Sequence, residues 1–325
     1  PIQFIAEGSD TDVAGQWQGV TIEGAVHVSH VTISNAITGL TADDNVWMDN
    51  ATISYNTMGV SATGEVYLSN SVFDNNGRGL YTTKGGSLSN SQFTNHSGTA
   101  AEYHGVAEVV EARFSDNQRG LVTRGGSVRN SDFATTSEWA LNVGRTTTIS
   151  DSEFVSNGTG VLTSNGRHIY TTVTGSYFSG NNTAINKSSS YREHGLEVVS
   201  SEFIGGVYGI RTGYYGTLEI HQSSFSDFSE WAVEAGHNMT VFTAAHNLYR
   251  NNKHAVYSSQ AYNGSYEVFN STFDNNGYAV SGHGVDNDHE WLVQDNIFTN
   301  NDTAISTDSV THRYNVYYNN TEGNG

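Results

Sequence analysis

A short pattern recurs along the whole chain at an almost fixed spacing. The segment "SVFDNNGRGL" at residues 71–80 returns as "STFDNNGYAV" at residues 271–280. Alignment on the aromatic or aliphatic residue of the Ser-x-Phe step gives fourteen registers, 19 to 25 residues apart. These registers are Ile33, Ile53, Phe73, Phe93, Phe114, Phe133, Phe154, Phe178, Phe203, Phe225, Tyr249, Phe273, Phe298 and Tyr317. A repeat of this length throughout 325 residues restricts the chain to a repeat architecture.

Each repeat contains short segments that are typical of β-strands. "GLYT", "SLSN" and "SQF" follow one another between residues 79 and 93, with Asn, Gly and Ser at the turns. A leucine-rich solenoid would need Leu-dominated positions and a helical arc, and a propeller would need a period of about 40 residues. We therefore predict an all-β fold: a single-stranded right-handed parallel β-helix (solenoid) with about 14 coils of 19–25 residues.

Stacking of such coils places like residues in columns. The Ser-x-Phe aromatics are expected to form one internal column, and aliphatic residues a second. The Asn that precedes the step is expected at one corner, where its amide bonds the coils above and below, and Gly is expected to supply a positive φ at another corner. The second column is predicted from Leu40, Val60, Leu80, Leu121, Val161 and Ile185, and the corner Asn residues from Asn70, Asn90, Asn130 and Asn270.

The composition fits a thin solenoid and excludes several functions. The chain has 35 Gly, 1 Pro and only 36% hydrophobic residues, which suits a core a few side chains wide. Its formal net charge of −19 disfavours nucleic acid and anionic lipid as partners. The absence of Cys excludes disulfides and thiolate chemistry. No apolar run is long enough to span a bilayer, so we expect no membrane insertion.

The first 24 residues carry a resemblance to a known group. Residues 1–24 read Pro-Ile-x-Phe, a short excursion and then Trp-x-Gly-Val, and the chain thereby resembles the pectate-lyase-like right-handed parallel β-helix proteins of microbial cell surfaces. The resemblance implies a scaffold rather than a reaction, and it implies that Pro1 begins partway into a longer precursor. The residues that carry it are Pro1, Ile2, Phe4, Trp17, Gly19 and Val20.

Coil length divides the predicted single domain, residues 1–325, into an opening coil at 1–30, short regular coils at 31–160 and coils with longer corner loops at 161–325. The extra residues follow the aliphatic column: Leu80 to Leu88 is 8 positions, whereas Ile185 to Val198 is 13. Insertions in one corner of consecutive coils project from one edge, where solenoids usually bind. The candidate residues are Arg167, His168, Tyr170, Tyr191, Arg192, His194, Tyr214, Tyr215, His237, Tyr262 and His283. Such residues are suited to binding a glycan or to a lateral contact with another protein. They are equally consistent with long polar turns that bind nothing.

One of these corners carries the only candidates for catalysis. "GVDNDHEW" at residues 284–291 resembles the Asp-Pro-His-Asp/Glu element of alginate epimerases through Asp286, His289 and Glu290, without its proline and with one residue inserted. The same residues also fit a calcium site, a salt-bridged turn or an ordinary long turn. We assign no catalytic residue, no cofactor and no metal, with Ca²⁺ as the one ion considered.

Two further patterns have alternative interpretations. Glu138-Trp139 and Glu230-Trp231 lie at equivalent positions after Phe133 and Phe225, where each indole either plugs a corner or stacks on a glycan or neighbour. Asn-x-Ser/Thr glycosylation acceptors occur about as often as chance predicts for a chain so rich in Asn, Ser and Thr. The glycosylation candidates are Asn50, Asn95, Asn157, Asn181, Asn186, Asn238, Asn263, Asn270, Asn301 and Asn319.

These observations predict an extracellular or cell-surface β-helix protein with a structural, adhesive or assembly role, able to form filaments and without catalytic activity. Its expected partners are itself, other surface proteins or glycans. The alternative is a polysaccharide lyase, an epimerase or a carbohydrate-binding protein that acts on acidic glycans through the C-terminal corner loops.

Overall fold

The structure, a computed structural model, describes residues 2–5, 12–164, 169–188, 192–236, 239–261, 264–284, 291–307 and 310–322, with only the backbone for 259–261, 283 and 284. The chain divides into two units, Pro1–Glu153 and Phe154–Gly325. All regular secondary structure in the described ranges is β-strand. Within those ranges, no helix is long and apolar enough to cross a membrane.

The first unit contains short strands of three to five residues. They are β1 Ile2–Phe4, β2 Val20–Ile22, β3 Val26–Ser29, β4 Val31–Ser34, β5 Thr38–Ala42, β6 Val46–Asp49, β7 Thr52–Ser54, β8 Met58–Ala62, β9 Val66–Ser69, β10 Val72–Asp74, β11 Arg78–Thr82, β12 Gly86–Ser89, β13 Gln92–Thr94, β14 Thr99–Tyr103, β15 Ala107–Val110, β16 Arg113–Ser115, β17 Arg119–Thr123, β18 Gly126–Arg129, β19 Asp132–Ala134, β20 Trp139–Val143 and β21 Thr147–Ser150. Strand β22, Glu153–Val155, spans the boundary between the units.

The second unit contains longer strands as well. They are β23 Thr159–Thr163, β24 Tyr170–Thr174, β25 Tyr177–Ser179, β26 Thr183–Lys187, β27 Gly195–Val199, β28 Glu202–Thr212, β29 Thr217–His221, β30 Ser224–Ala235, β31 Val241–Ala245, β32 Leu248–Arg250, β33 His254–Ala261, β34 Ser265–Phe269, β35 Thr272–Asp274, β36 Tyr278–Gly284, β37 Trp291–Gln294, β38 Ile297–Thr299, β39 Thr303–Thr307, β40 Val310–Arg313 and β41 Val316–Tyr318. Strands β28 and β30 run without a break through a corner that interrupts the other coils.

Both units are parallel β-solenoids with three faces. The Phe face consists of the Ser-x-Phe strands, such as β10 and β13. The Leu face follows it in each coil, as in β11 and β14, and the third face follows next, as in β12 and β15. All assigned pairings between these strands are parallel, and the described residues of each unit contain seven third-face strands. The predicted parallel β-helix and its coil number are confirmed.

The predicted Phe column is confirmed residue by residue. In the first unit Ile53 pairs with Phe73 and Phe73 with Phe93, whose rings stack with centroids 4.7 Å apart. In the second unit, seven members from Phe154 to Phe298 are at most 1% exposed, and successive rings are stacked. The column has one further member, Phe4, which pairs with Ile33. The repeat pattern did not predict it because the coil between these two residues is much longer than the others.

The aliphatic column is likewise confirmed. Leu40 pairs with Val60, Val60 with Leu80, and Val161 with Ile185. Two further members, Ala101 and Leu141, are buried at the same position.

The corner between the Phe face and the Leu face explains the recurrent Asn pairs. The first residue of each pair, such as Asn75 or Asn275, has a positive φ of 51° or 55°. The second is buried and builds a ladder: Asn252 Nδ2 donates to Asn276 Oδ1, and Asn276 Nδ2 donates to Asn301 Oδ1, both at 3.0 Å. The polar groups that the chain must bury at this turn are thus paired between coils.

The corner between the third face and the Phe face departs from the prediction. Asn70, Asn90, Asn130 and Asn270 all lie there, but they are exposed and have positive φ values. Asn90 Nδ2 does donate to Asn70 Oδ1 at 2.7 Å, but the buried ladder is formed by the residue that follows, for example Ser71 N donating to Ser91 Oγ. Non-glycine residues therefore hold most of the positive-φ positions in the described ranges, and Asn is the most frequent among them because it tolerates this conformation better than most side chains.

The corner between the Leu face and the third face is the variable one. Residues 165–168, 189–191, 237–238, 262–263, 285–290 and 308–309, which lie outside the described part, all fall in the sequence between a Leu-face strand and the next third-face strand. The predicted longer loops of residues 161–325 therefore belong to this corner of the second unit.

Candidate functional site

The outward side of the Leu face in the second unit carries two adjacent columns of large polar and aromatic side chains. Backbone pairing aligns the first as Tyr208, Trp231, His254, Tyr278 and Thr303. It aligns the second as Arg211, Glu234, Tyr257 and Ser281. We call these two columns the aromatic surface. Two consecutive buried residues separate the columns in each coil, as Ala232 and Val233 do in β30, and the second of them belongs to the aliphatic column. The display therefore depends on a local departure from strict strand alternation as well as on the stacking of the coils.

Three rings of the aromatic surface form a stack. Tyr208 and Trp231 have centroids 5.2 Å apart with planes 24° from parallel. Trp231 and Tyr257 have centroids 5.4 Å apart at 13°. The guanidinium of Arg211 lies over Tyr208, 4.4 Å from its centroid, and 5.9 Å from that of Trp231. All four side chains are half-buried, which fixes their positions while leaving their outer parts in contact with solvent.

The charges of this surface are arranged in pairs. Arg211 Nε lies 2.7 Å from Glu234 Oε2. Lys253 Nζ lies 2.8 Å from Glu230 Oε2, next to Trp231 and His254 in the sequence. Exposed pairs of this kind contribute little stability. The surface is therefore polar but locally balanced, in a chain of strongly negative charge.

His254 and Tyr278 form a second stack on the same surface. Their rings lie 4.7 Å apart and 7° from parallel. Burial and then the charge of Lys253 lower the pKa of His254, so its imidazole is neutral at neutral pH. Tyr278 is 41% exposed, and its neighbour on the following coil is Thr303, which carries no ring. One face of Tyr278 is thus not covered by another aromatic residue of its column.

Some predicted edge residues lie together next to this surface. Arg192 lies over the ring of Tyr215 at 5.4 Å, and buried Lys187 donates to the carbonyl of Tyr215 at 2.9 Å. Tyr170 is 39% exposed, and its ring packs on Gly195, where a Cβ would lie 2.2 Å from Tyr170 Cδ2. Gly195 is thus required for close approach of this ring.

The remaining described edge residues differ in exposure. His194 is buried, at 1% exposure, so it is not available to a ligand. Tyr214 is 55% exposed in the turn before β29. The other edge candidates, namely Arg167, His168, Tyr191, His237, Tyr262 and the side chain of His283, lie outside the described residues.

The catalytic candidates Asp286, His289 and Glu290 also lie outside the described residues, between β36 and β37. The part of the chain that the structure describes contains no group of three or more His, Asp or Glu residues suited to a metal ion. A calcium site at residues 284–291 therefore stays a prediction.

The glycosylation candidates fall into three groups. Asn157, Asn181 and Asn301 are buried members of the corner ladder, with exposures of 1–2%, so a glycosylating enzyme could not reach their amides in the folded chain. Asn50, Asn95, Asn270 and Asn319 are exposed and Asn186 is half-buried, so they stay candidates. Asn238 and Asn263 are outside the described ranges.

The sequence reading recognised Trp231 but missed most of the aromatic surface. Tyr208, His254 and Tyr278 each follow a Phe-column residue by 5 positions, and Trp231 follows Phe225 by 6. Residues at the same offset from the Phe column in consecutive coils form one outward column. This offset is therefore the signal in the sequence that indicates the surface. Trp139 lies at the equivalent column of the first unit, where Arg119 is its partner on the preceding coil.

Comparisons with known proteins add little to this geometry. No family model matches the chain, and no curated protein matches it. Among solved structures, the periplasmic alginate epimerase AlgG matches at 10% identity with a TM-score of 0.44, over 88% of this chain and 76% of that one. A mutant of the same enzyme matches with a TM-score of 0.43, at 10% identity, over 89% and 76%. We draw no argument from similarity at this level, and the parallel β-helix rests on the strand registers of the chain itself.

Proposed function

We propose that the chain is a carbohydrate-binding β-helix protein with an adhesive role, which holds a polysaccharide against the aromatic surface of its second unit. The observation that carries the proposal is the half-buried stack of Tyr208, Trp231 and Tyr257 beneath Arg211. The outer edges of these stacked rings, and the face of Tyr278 that its column leaves uncovered, offer a rigid aromatic contact for the C–H groups of a sugar chain. Arg, Glu and Tyr supply hydrogen bonds to sugar hydroxyls around them.

The charge pattern supports an uncharged glycan. Arg211 and Lys253 already have carboxylate partners in Glu234 and Glu230. A polyuronate would have to displace those carboxylates while approaching a chain of net charge −19. A neutral pyranose chain needs neither step, so the proposal departs from the acidic glycans named in the alternative prediction.

An adhesive role and a location outside the cell are part of the same proposal. A surface that repeats from coil to coil suits an extended polymer, since each coil offers similar contacts at the spacing of the strands, about 4.8 Å. Such polymers are components of cell surfaces and extracellular matrices. Other surface proteins and further copies of this chain are then secondary partners, and no catalytic step is required.

The test is retention of the protein on insoluble cellulose, chitin and calcium alginate. The wild-type protein is expected to be retained on a neutral matrix. Trp231→Ala is expected to weaken retention roughly tenfold, which corresponds to a loss of about 1.4 kcal/mol of binding free energy. Trp139→Ala is the matched control, because it removes an indole from the equivalent column of the first unit. No retention on any matrix, or equal losses in both variants, would refute the proposal.

One observation favours a second candidate, a uronate epimerase or lyase. Such enzymes need a neutral base at a sugar C–H next to a carboxylate and a cation that stabilises the resulting enolate. His254 has a lowered pKa and lies beside Tyr278 and Lys253. The candidate is tested by incubation with polymannuronate and polygalacturonate, followed by NMR for C5 inversion and by absorbance for unsaturated ends. Turnover that is lost in His254→Gln supports it, and absence of turnover on either polymer excludes it for those substrates.

A further inference from the structure

The third face of the first unit carries another aromatic column, which stops abruptly. His27, Trp47 and Tyr67 lie on successive coils, in β3, β6 and β9. Their rings stack almost parallel, with centroids 4.5 Å and 5.6 Å apart. The next residue of the column, on β12, is Ser87. Trp47 therefore covers one face of Tyr67, while the coil on its other side contributes only a serine.

A depression of about 330 Å³ lies along this column. Besides the three rings, the residues that line it include Asp49, Ser69, Ser87 and Ser89. Its volume is at the lower end of the range of ligand sites, and it is large enough for one sugar ring. The small Ser87 creates room at the position where another aromatic residue would continue the stack. A flat ligand ring can occupy this position and contact the uncovered face of Tyr67.

The polar groups around the open end of the column are acidic. Tyr67 donates its hydroxyl hydrogen to Glu65, and Ser127 donates to Glu108, the residue that follows Ser87 in the column. Asp49 accepts hydrogen bonds from Ser69 and Asn70, both at 2.7 Å, and these donors lower the pKa of its carboxyl group. Asp49 lines the depression, and Glu65 and Glu108 lie outside its lining, on the coils that precede and follow that of Ser87. These three negative charges favour a cation over a neutral or anionic ligand.

We propose that this depression binds an amino sugar unit of a glycan in its protonated form, with the pyranose ring stacked on Tyr67 above Ser87. In this position the ammonium group lies toward Glu108 and Glu65, and the sugar hydroxyls contact Ser87 and Ser89. The cation gains from the carboxylates and from the electron-rich face of Tyr67. A neutral sugar gains only the stacking contact, and a uronate is repelled.

The proposed site is distinct from the aromatic surface in residues and in charge. Here the aromatic rings lie beside carboxylates that accept hydrogen bonds from hydroxyl and amide groups, whereas Arg211 and Lys253 accompany the rings of the second unit. Lys84 is exposed in the turn before β12, and the carbonyl of the next residue, Gly85, accepts from the N–H of Val66, which follows Glu65. We expect the ammonium group of Lys84 to oppose the binding of a second cation there. Its removal is therefore expected to strengthen binding of a cation.

The experiment is calorimetric titration with the hexamer of β-1,4-linked glucosamine, in slightly acidic buffer, and with its fully N-acetylated counterpart. The wild-type protein is expected to bind the amino hexamer roughly three- to tenfold more tightly than the acetylated one. Tyr67→Ala is expected to reduce binding of both hexamers. Glu108→Gln is expected to reduce only binding of the amino hexamer, and Lys84→Ala to increase it. Tyr81→Ala, on another face, is the control and is expected to change neither.

Several results would overturn the proposal: no binding of the amino hexamer, equal affinity for both hexamers, or no effect of Glu108→Gln. Because Glu108 is exposed, its substitution tests the site even if Tyr67→Ala fails to fold. The titrations are repeated in a Trp231→Ala background, because the acetylated hexamer is itself a neutral glycan that the aromatic surface of the second unit can bind. In that background the preference for the amino hexamer, and its loss in Glu108→Gln, should persist whether or not the second unit binds neutral polysaccharide.

Discussion

The indole of Trp231 lies parallel to the ring of Tyr257, although its backbone partner on the next coil is His254. The ring of Trp231 therefore leans across from one outward column to the other. His254 contacts Trp231 of the preceding coil with its ring tilted by 50° and stacks on Tyr278 of the following coil. The aromatic surface is one connected layer rather than two independent columns, and this connection has a measurable consequence.

Binding losses at Trp231 and Tyr257 are expected to be non-additive. Removal of Tyr257 leaves Trp231 without one of the two rings on which it stacks, so either single Ala substitution disturbs the same contact. The double variant should bind a neutral polysaccharide no more than about 0.5 kcal/mol more weakly than the poorer single variant. Calorimetry with a soluble neutral oligosaccharide measures the cycle. Fully additive losses would show that the two rings act separately.

The buried Asn ladder is expected to be a main source of stability. Asn276→Ala leaves the backbone N–H of Asn252 and the carbonyl of Tyr249 without the partners they now have, and should destabilise the fold by about 2–4 kcal/mol. Its neighbour Asn275 lies at φ 55° and is exposed, so Asn275→Gly should change stability by less than about 1 kcal/mol. Urea unfolding of the two variants measures the contrast. Similar losses in both would contradict the role of the ladder.

His96 is expected to make stability depend on pH. It occupies an Asn position of the ladder, where its Nδ1 accepts from the N–H of Asn76 at 3.2 Å, and burial lowers its pKa to about 4. The unfolded chain binds a proton at this group below its ordinary pKa of 6.5, whereas the folded chain does not until about 4. Stability should therefore be complete above pH 6.5 and fall as the pH drops toward 4.

His96→Asn should remove this part of the pH profile, which amounts to roughly 2–4 kcal/mol. The asparagine can accept from Asn76 in the same way as the ladder residues of other coils. The pKa of His254 is also lowered by burial, so stability depends on pH through this group as well, and the quantity to measure is the difference between variant and wild type. Parallel profiles from pH 4 to 7 would contradict the assignment.

Lys187 is expected to weaken the fold at neutral pH. It is 1% exposed and donates to the carbonyl of Tyr215, and burial lowers its pKa to about 8. Between pH 8 and its ordinary pKa of 10.5, the unfolded chain holds this proton and the folded chain releases it, so stability should rise with pH there. Lys187→Met should remove that rise and stabilise the fold by about 1–3 kcal/mol at pH 7. Thermal unfolding at pH 7 and pH 9.5 tests both effects, and a destabilised variant at pH 7 would contradict them.

The fold could be predicted because stacking converts sequence periodicity directly into structure. The residues from Ile33 to Tyr317 that repeat in the sequence are the residues that pair, and Phe4 was missed only because its coil is longer. The role of the Asn pairs was less visible. The sequence shows that Asn70 recurs, but only coordinates show that such Asn residues make the turn while Ser71 or Asn76 enters the ladder.

The candidate site could be predicted only in part. Corner length pointed to the second unit, where the structure places Arg192 over the ring of Tyr215; that this edge binds a partner stays a prediction. The surface itself, however, is built by strand residues at a constant offset from the Phe column, such as Tyr208 and His254. In a chain rich in aromatic residues, outward and inward rings differ only by their position in the strand, so their register must be known before the surface can be recognised.

Hydrogen exchange in the presence and absence of a retained neutral oligosaccharide tests the central claim most directly. Binding to the aromatic surface is predicted to slow exchange in the second unit between Tyr208 and Tyr278, in the Leu-face parts of β28, β30, β33 and β36. Strands β5, β8 and β11 of the first unit should be unaffected by this ligand. Slowed exchange confined to the first unit, or none in the presence of saturating oligosaccharide, would contradict the account.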